Sequence, residues 1–212
     1  MANVGQRNLL VAQSGGATAV INASLVGVVE AARSTGRFDA VLGARRGITG
    51  ILERAFIDLG NQPEATLRAI MRTPSAALGT TRHRLSDDEA HQAIAVLAEL
   101  GISAVAYIGG NDSADTALRL TAAADAAGYE LAVISVPKTI DNDLPATDHA
   151  PGYGSIARFL AQATRDAARD TEATANLYPV KLIEVMGRNA GWVAAATALG
   201  QEKVGDAPHL IF

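Results

Sequence analysis

Between Val136 and Asp143 the chain reads V-P-K-T-I-D-N-D. A lysine (Lys138), a hydroxyl (Thr139) and two carboxylates (Asp141 and Asp143) follow directly on the apolar run Leu131–Val136. A strand ending in such a cluster predicts an active-site edge, because ligands of open α/β sheets bind beyond the carboxyl ends of the strands. Pro137 has no N–H to extend a ladder, so the chain is expected to leave the sheet there. Taken alone, the cluster reads equally well as an acidic, solvated turn.

Glycine-rich turns surround this cluster in the sequence. Four strand-to-helix turns carry them: Ser14–Gly16, Gly43–Gly50, Gly109–Ser113 and Gly187–Gly191. Glycine lets backbone N–H groups approach an anion, and a following helix N-terminus favours negative charge. One such turn is ordinary, whereas four in one chain, most of them joined by arginines or carboxylates, point to phosphate. Arg45 and Arg46 lie between glycines, Arg82 and Arg84 lie in T-T-R-H-R, and Arg188 follows Gly187. Arginine meets phosphate with a planar fork of donors, although Arg84 and Arg46 read better as surface residues. His83 and His91 lack ligand spacing, and Trp192 reads as a core or interface residue. The chemistry these residues suit is phosphoryl transfer. Glycine turns hold phosphates, arginines neutralise them, and carboxylates hold Mg²⁺ or accept a proton. Asp141 or Asp143 could serve as the base for a hydroxyl nucleophile.

The elements that must position these turns can be read from periodicity. Strands are expected at Asn8–Ala12, Asp39–Ala44, Ala104–Ile108, Leu131–Val136 and Lys181–Met186. Helices are expected at Thr18–Ala32, around Ile51–Arg54, at Ser86–Leu100, Ala114–Ala127, about Ile156–Thr174, and Trp192–Leu199. Residues 58–85 read as irregular. Ser86 with Glu89 forms a capping box, and Gly101 supplies the stop. The alternation predicts an α/β fold: a doubly wound, mainly parallel sheet with helices on both faces. No linker is evident, so the 212 residues read as one lobe.

Composition narrows the classes. Hydrophobic residues make up 49% of the chain and aromatics only 4%, so a large core must be aliphatic. A net charge of −4 argues against a nucleic-acid surface. Cysteine is absent, which excludes disulfides and thiolate metal sites and fits a reducing cytoplasm. No apolar run is long enough to span a bilayer. The apolar ending H-L-I-F suggests the N-terminal part of a longer chain.

The motifs together resemble the phosphofructokinase family. The matching segments are S-G-G at 14–16, G-A-R-R-G-I-T-G at 43–50, G-T-T-R at 79–82, G-G-N-D-S at 109–113, P-K-T-I-D-N-D at 137–143, G-Y-G-S at 152–155 and E-V-M-G-R-N-A-G at 184–191. They occur in family order and cover about the first half of a typical member. The resemblance implies that residues 1–212 are the N-terminal lobe, and that the second, sugar-phosphate lobe is absent from this chain.

What the resemblance implies for the site is specific. Asp141 resembles the base that takes the proton from the sugar 1-hydroxyl, with Thr139 and Ile140 in the same substrate-binding turn. Met186, Gly187 and Arg188 resemble the segment that contacts the sugar phosphate. Gly15, Gly16, Gly110 and Ser113 look like contacts to the phosphoryl donor, and Arg82 resembles the arginine bridging the transferring phosphate. ATP-dependent members usually have glycine where this chain has Asp112 and Lys138. A carboxylate at 112 would repel a nucleotide α-phosphate, and a lysine at 138 offers a cation to compact pyrophosphate. The pair is similar to the pyrophosphate-dependent branch, with fructose 6-phosphate as acceptor. Mg²⁺ is the implied cofactor. Its candidate ligands are Asn111, standing where the family normally has aspartate, and Asp143. The competing expectations are an ATP-dependent enzyme and a non-catalytic sugar-phosphate-binding or regulatory homologue. The family also implies a cytoplasmic homo-oligomer with no nucleic-acid or membrane partner.

Overall fold

A computed structural model describes residues 7–212. They fall into two compact units, the first ending at Lys138 and the second running Thr139–Phe212.

The first unit is a five-stranded sheet in the order β3-β2-β1-β4-β5. Its strands are β1 (Asn8–Gln13), β2 (Ala40–Ala44), β3 (Phe56–Asp58), β4 (Ile102–Gly109) and β5 (Ala132–Pro137). All neighbours pair in parallel except β3, which runs antiparallel to β2. The helices are α1 (Ala19–Thr35), α2 (Ile48–Leu52), α3 (Glu64–Arg72), α4 (Asp87–Glu99) and α5 (Asn111–Ala126).

Strand geometry explains how the two faces are filled. Successive side chains point to opposite sides. Leu10, Ala12, Val105 and Tyr107 pack with Ile48, Ile51, Ile94, Leu97 and Leu120 on the face of α2, α4 and α5. Leu9, Val11, Ala106 and Ile108 pack with Ile21, Leu25, Val29 and Leu67 on the face of α1 and α3. Both faces of β1 and β4 are therefore covered, and these strands read as continuous apolar runs. The capping box is formed: Glu89 N–H donates to Ser86 Oγ, and the Glu89 carboxylate accepts from Ser86 N–H. The strands place the ends of β1, β4 and β5 side by side.

The second unit holds α6 (Tyr153–Ala173), α7 (Gly191–Ala195) and a 3-10 turn at Ala196–Gly200. Its only β pairing among the described residues is the isolated bridge Thr139–Gly152.

Several expectations are corrected. Lys181–Met186 is not a strand. Its unit offers no neighbouring strand among the described residues, and an apolar run without a partner for its N–H and C=O groups cannot form a ladder. Leu182 and Met186 are exposed instead. Residues 58–85 are not wholly irregular, since they include the end of β3 and all of α3. Only Leu67 of α3 is buried, too little to print a clear period. The helix expected at Ala114 begins at Asn111, so Asn111, Asp112 and Ser113 form its first turn. Helix α2 lies a few residues earlier than expected, and the helix expected over Trp192–Leu199 divides into α7 and the 3-10 turn. The chain does leave the sheet at Pro137, which is the last residue of β5 where the strand was expected to end at Val136, and Lys138 N–H still donates to the Gly109 carbonyl.

Candidate active site

In the first unit the site begins where β1, β4 and β5 end. Ser14 N–H continues the ladder to the Ile108 carbonyl at 3.0 Å, and the chain then turns at Gly15 with φ of 85°. Beside it, β4 passes through Gly109 and Gly110 into α5. Ser14 Oγ and Ser113 Oγ form a buried hydrogen bond of 2.6 Å that ties the two turns together. Gly109 is required by this closeness, because a Cβ there would lie 1.9 Å from Ser113 Oγ.

Lys138 follows β5 and is 4% exposed. Its Nζ reaches across the end of β4 to the Gly16 carbonyl at 2.6 Å. A Cβ on Gly15 would stand 3.4 Å from the same nitrogen. A buried ammonium is thus fixed against a glycine turn whose backbone can face an anion.

The Gly79–Leu85 loop brings Arg82 to this place. Thr80 Oγ1 donates to the Gly15 carbonyl at 2.5 Å, and Thr81 Oγ1 bonds Thr49 Oγ1 at 2.9 Å. His83 Nε2 meets Glu89 Oε1 at 2.9 Å, anchoring the loop to the start of α4. Gln13 Nε2 donates to the Gly79 carbonyl. Arg82, Arg84, Asp112, Asp115 and Arg119 then line a cavity of about 320 Å³ that reaches Gly15. Arg119 pairs with Asp115 and Asp87.

Beneath these loops lies Tyr107, fully buried, whose hydroxyl accepts from Ile48 N–H at 3.0 Å. Burial pushes its hydroxyl pKa up, partly opposed by Ser14 and the Ile48 amide.

In the second unit Thr139 is buried, and its Oγ1 accepts from Asp141 N–H at 3.1 Å. Ile140 and Asp141 are half-buried and Asp143 is exposed. Asn142 adopts φ of 49° and braces the loop, donating to the Asp148 carbonyl and accepting from Ala150 N–H. Asparagine tolerates this left-handed conformation better than most residues. Met186 and Arg188 are exposed, flanking Gly187 at φ of 109°. Gly187 carbonyl accepts from Ala190 N–H, leading the chain into α7.

A family model described as phosphofructokinase matches residues 8–206. The chain belongs to the phosphofructokinase family. Among curated relatives, it is 44% identical to a pyrophosphate–fructose 6-phosphate 1-phosphotransferase of Halomonas elongata, over 97% of this chain and 51% of that protein. It is 46% identical to the protein of the same name from Xanthomonas campestris, over 96% of this chain and 50% of that one. A crystal structure of a pyrophosphate-dependent phosphofructokinase from Marinobacter aquaeolei superposes with a TM-score of 0.87 at 41% identity, covering 97% of this chain and 52% of that one. The chain thus spans about half the length of the relatives it matches. The doubly wound phosphofructokinase fold expected from the motifs is the one observed.

Within this phosphofructokinase chain, Gly15, Gly16, Gly110, Lys138, Asp112 and Arg82 belong to one unit, and Thr139, Ile140, Asp141, Asp143 and Met186–Arg188 to the other. Asn111 and Asp112 are exposed on the first turn of α5. The Ser113 side chain is 1% exposed and bonded to Ser14, so this residue would face a donor through the backbone of the first turn of α5. Sequence reasoning missed Thr80, whose bond to Gly15 has no local signal. It also missed Asp115 and Arg119, although their spacing from Asp112 on one helical face was legible. Trp192 was read as core or interface; it is half-buried and donates to the Asp141 carbonyl at 3.0 Å.

Proposed function

We propose that the full-length protein transfers phosphate from pyrophosphate to the 1-hydroxyl of fructose 6-phosphate, giving fructose 1,6-bisphosphate. The observation carrying this reading is the buried Lys138 ammonium fixed 2.6 Å from the Gly16 carbonyl. A compact anion needs a strong, fixed cation because it has no nucleoside to contribute binding. Asp112 stands in the first turn of α5, where it would repel the next phosphate of a nucleotide. The names of the relatives support the same donor.

The roles carry over what the family resemblance implies, combined with phosphoryl-transfer chemistry. Asp141 accepts the proton of the sugar 1-hydroxyl. That oxygen forms a bond to phosphorus, the bridging P–O bond of pyrophosphate breaks, and inorganic phosphate leaves. Lys138, Arg82 and the backbone N–H groups of the Gly15 and Gly110 turns stabilise the charge spread over the phosphoryl oxygens. Thr139 and Ile140 shape the acceptor turn, and Met186, Gly187 and Arg188 meet the sugar phosphate.

Mg²⁺, when bound, neutralises phosphate charge. Asn111, aided by Asp112, offers an amide and a carboxylate, and Asp143 is the further candidate ligand. Among the described residues no group of three or more His, Cys, Asp or Glu side chains could hold a metal. This donor set fits a cation that arrives with phosphate oxygens, as Mg²⁺ commonly does. No helix among the described residues is long and apolar enough to cross a membrane; the proposed substrates suit a cytoplasmic enzyme, and the family resemblance suits a homo-oligomer.

A donor comparison on the full-length protein, with Mg²⁺ varied, tests the reading. Turnover with pyrophosphate at least about 100-fold above ATP in kcat/KM supports it. Use of ATP alone would replace it with the ATP-dependent reading. Binding of fructose 6-phosphate without turnover by either donor would replace it with a regulatory one.

A further inference from the structure

The turn carrying Asp141 is held at both ends of one residue. Its N–H donates to Thr139 Oγ1 at 3.1 Å, and its carbonyl accepts from Trp192 Nε1 at 3.0 Å. Asn142, next in the chain, fixes the rest of the loop through Asp148 and Ala150. Of these restraints, only the indole comes from outside the loop.

Trp192 is itself held. Its ring meets Tyr153 edge to face, with centroids 5.3 Å apart and planes at 80°. Tyr153 meets His149 in the same manner at 5.2 Å and 78°. In a chain with 4% aromatics this is a concentrated use of rings, and edge-to-face pairs are orientationally selective. Trp192 also stands in α7, which begins at Gly191, three positions after Arg188 at the end of the Met186–Arg188 segment. The indole therefore links the acceptor turn to the segment expected to meet the sugar phosphate.

We propose that Trp192 is a positioning residue: its indole N–H fixes the Asp141 carbonyl, and through it the direction in which the Asp141 carboxylate is presented to the sugar hydroxyl. The inference rests on the reading of Asp141 as the base. A half-buried carbonyl that loses its donor is free to rotate its peptide plane. A small displacement of a base costs rate rather than binding, because proton transfer requires hydrogen-bond reach in the reacting geometry.

The test uses the full-length protein and the variants Trp192→Phe, Trp192→His and Asp141→Asn. Phenylalanine keeps a ring against Tyr153 and removes the donor. Histidine places Nε2 near the indole nitrogen and restores one. Trp192→Phe should lower kcat roughly 10- to 100-fold, with KM for both substrates within about twofold and Tm within about 2 °C. Trp192→His should recover most of the lost kcat. Near-normal kcat in Trp192→Phe overturns the proposal, as does an equal loss in Phe and His, which would show packing alone. Asp141→Asn separates the two readings. If it retains full activity, the base assignment fails and the proposal fails with it. If it is inactive while Trp192→Phe is normal, only the proposal fails.

Discussion

Lys138 crosses the carboxyl end of β4 to donate to the Gly16 carbonyl at 2.6 Å. The side chain leaves one strand end and closes on the turn after another, so its charge is fixed before any anion arrives. Lys138→Met keeps most of the volume and removes the charge. It should lower kcat/KM for pyrophosphate by about 10²–10³, the usual loss when a preorganised charge or donor is removed. Lys138→Arg should not restore it, because a planar guanidinium is larger than the ammonium buried at this position and cannot repeat its 2.6 Å bond to the Gly16 carbonyl without displacing neighbours. Steady-state kinetics of the two variants with both donors decides this.

Donor choice should move when Asp112 and Lys138 change together. Asp112 is exposed on the first turn of α5, where a phosphate would otherwise meet a helix N-terminus. The double variant Asp112→Gly with Lys138→Gly is expected to raise the ATP-to-pyrophosphate ratio of kcat/KM by at least about 100-fold. An unchanged ratio would remove these two residues from the account of donor selection.

Tyr107 gives a prediction in alkali. Its hydroxyl pKa is raised in the folded protein, chiefly by burial. The neutral phenol is therefore favoured by folding. Its contribution is fully present below the unfolded value of about 10 and is lost as pH rises through the folded value. Denaturant midpoints should fall as pH climbs past about 10, and the fall should be shallower in Tyr107→Phe. At neutral pH that variant should be less stable by about 1–3 kcal/mol, since Ile48 N–H loses its buried acceptor.

Gly109→Ala should destabilise the fold by about 1–3 kcal/mol through overpacking. The new methyl would fall 1.9 Å from Ser113 Oγ and 3.0 Å from the Ser14 carbonyl oxygen. Adding Ser113→Ala should return part of that loss. A double-mutant cycle in urea measures the coupling, and strict additivity would contradict the contact.

The first unit was largely legible because its signals are local and repeated. The apolar strands, Ser86 with Glu89, and Gly101 announce β1, β4 and α4 directly. The misses share one cause, which is dependence on a partner. Lys181–Met186 has strand composition but no strand beside it in its unit, so composition alone misled. Helix α3 buries only Leu67 and left almost no period. In the site, residue types marked Lys138, Asp112 and Asp141 as candidates. The bond between Ser113 and Ser14 spans 99 positions in sequence and has no local signal. The indole bond to Asp141 spans 51 positions and carries no local mark. Motifs report which groups are present; the hydrogen bonds that aim them are long-range.

One margin of the sheet has a practical outcome. β5 is the last strand in the order, and Ile134 on it is 60% exposed. Among the described residues no strand pairs with the outer edge of β5, and such an edge with apolar side chains is a template onto which a second chain can add. Produced by itself, the 212-residue chain should accumulate as oligomers that grow with concentration, visible by light scattering well below its unfolding temperature. Ile134→Lys should delay that onset, a charge on an edge strand being a common guard against such growth.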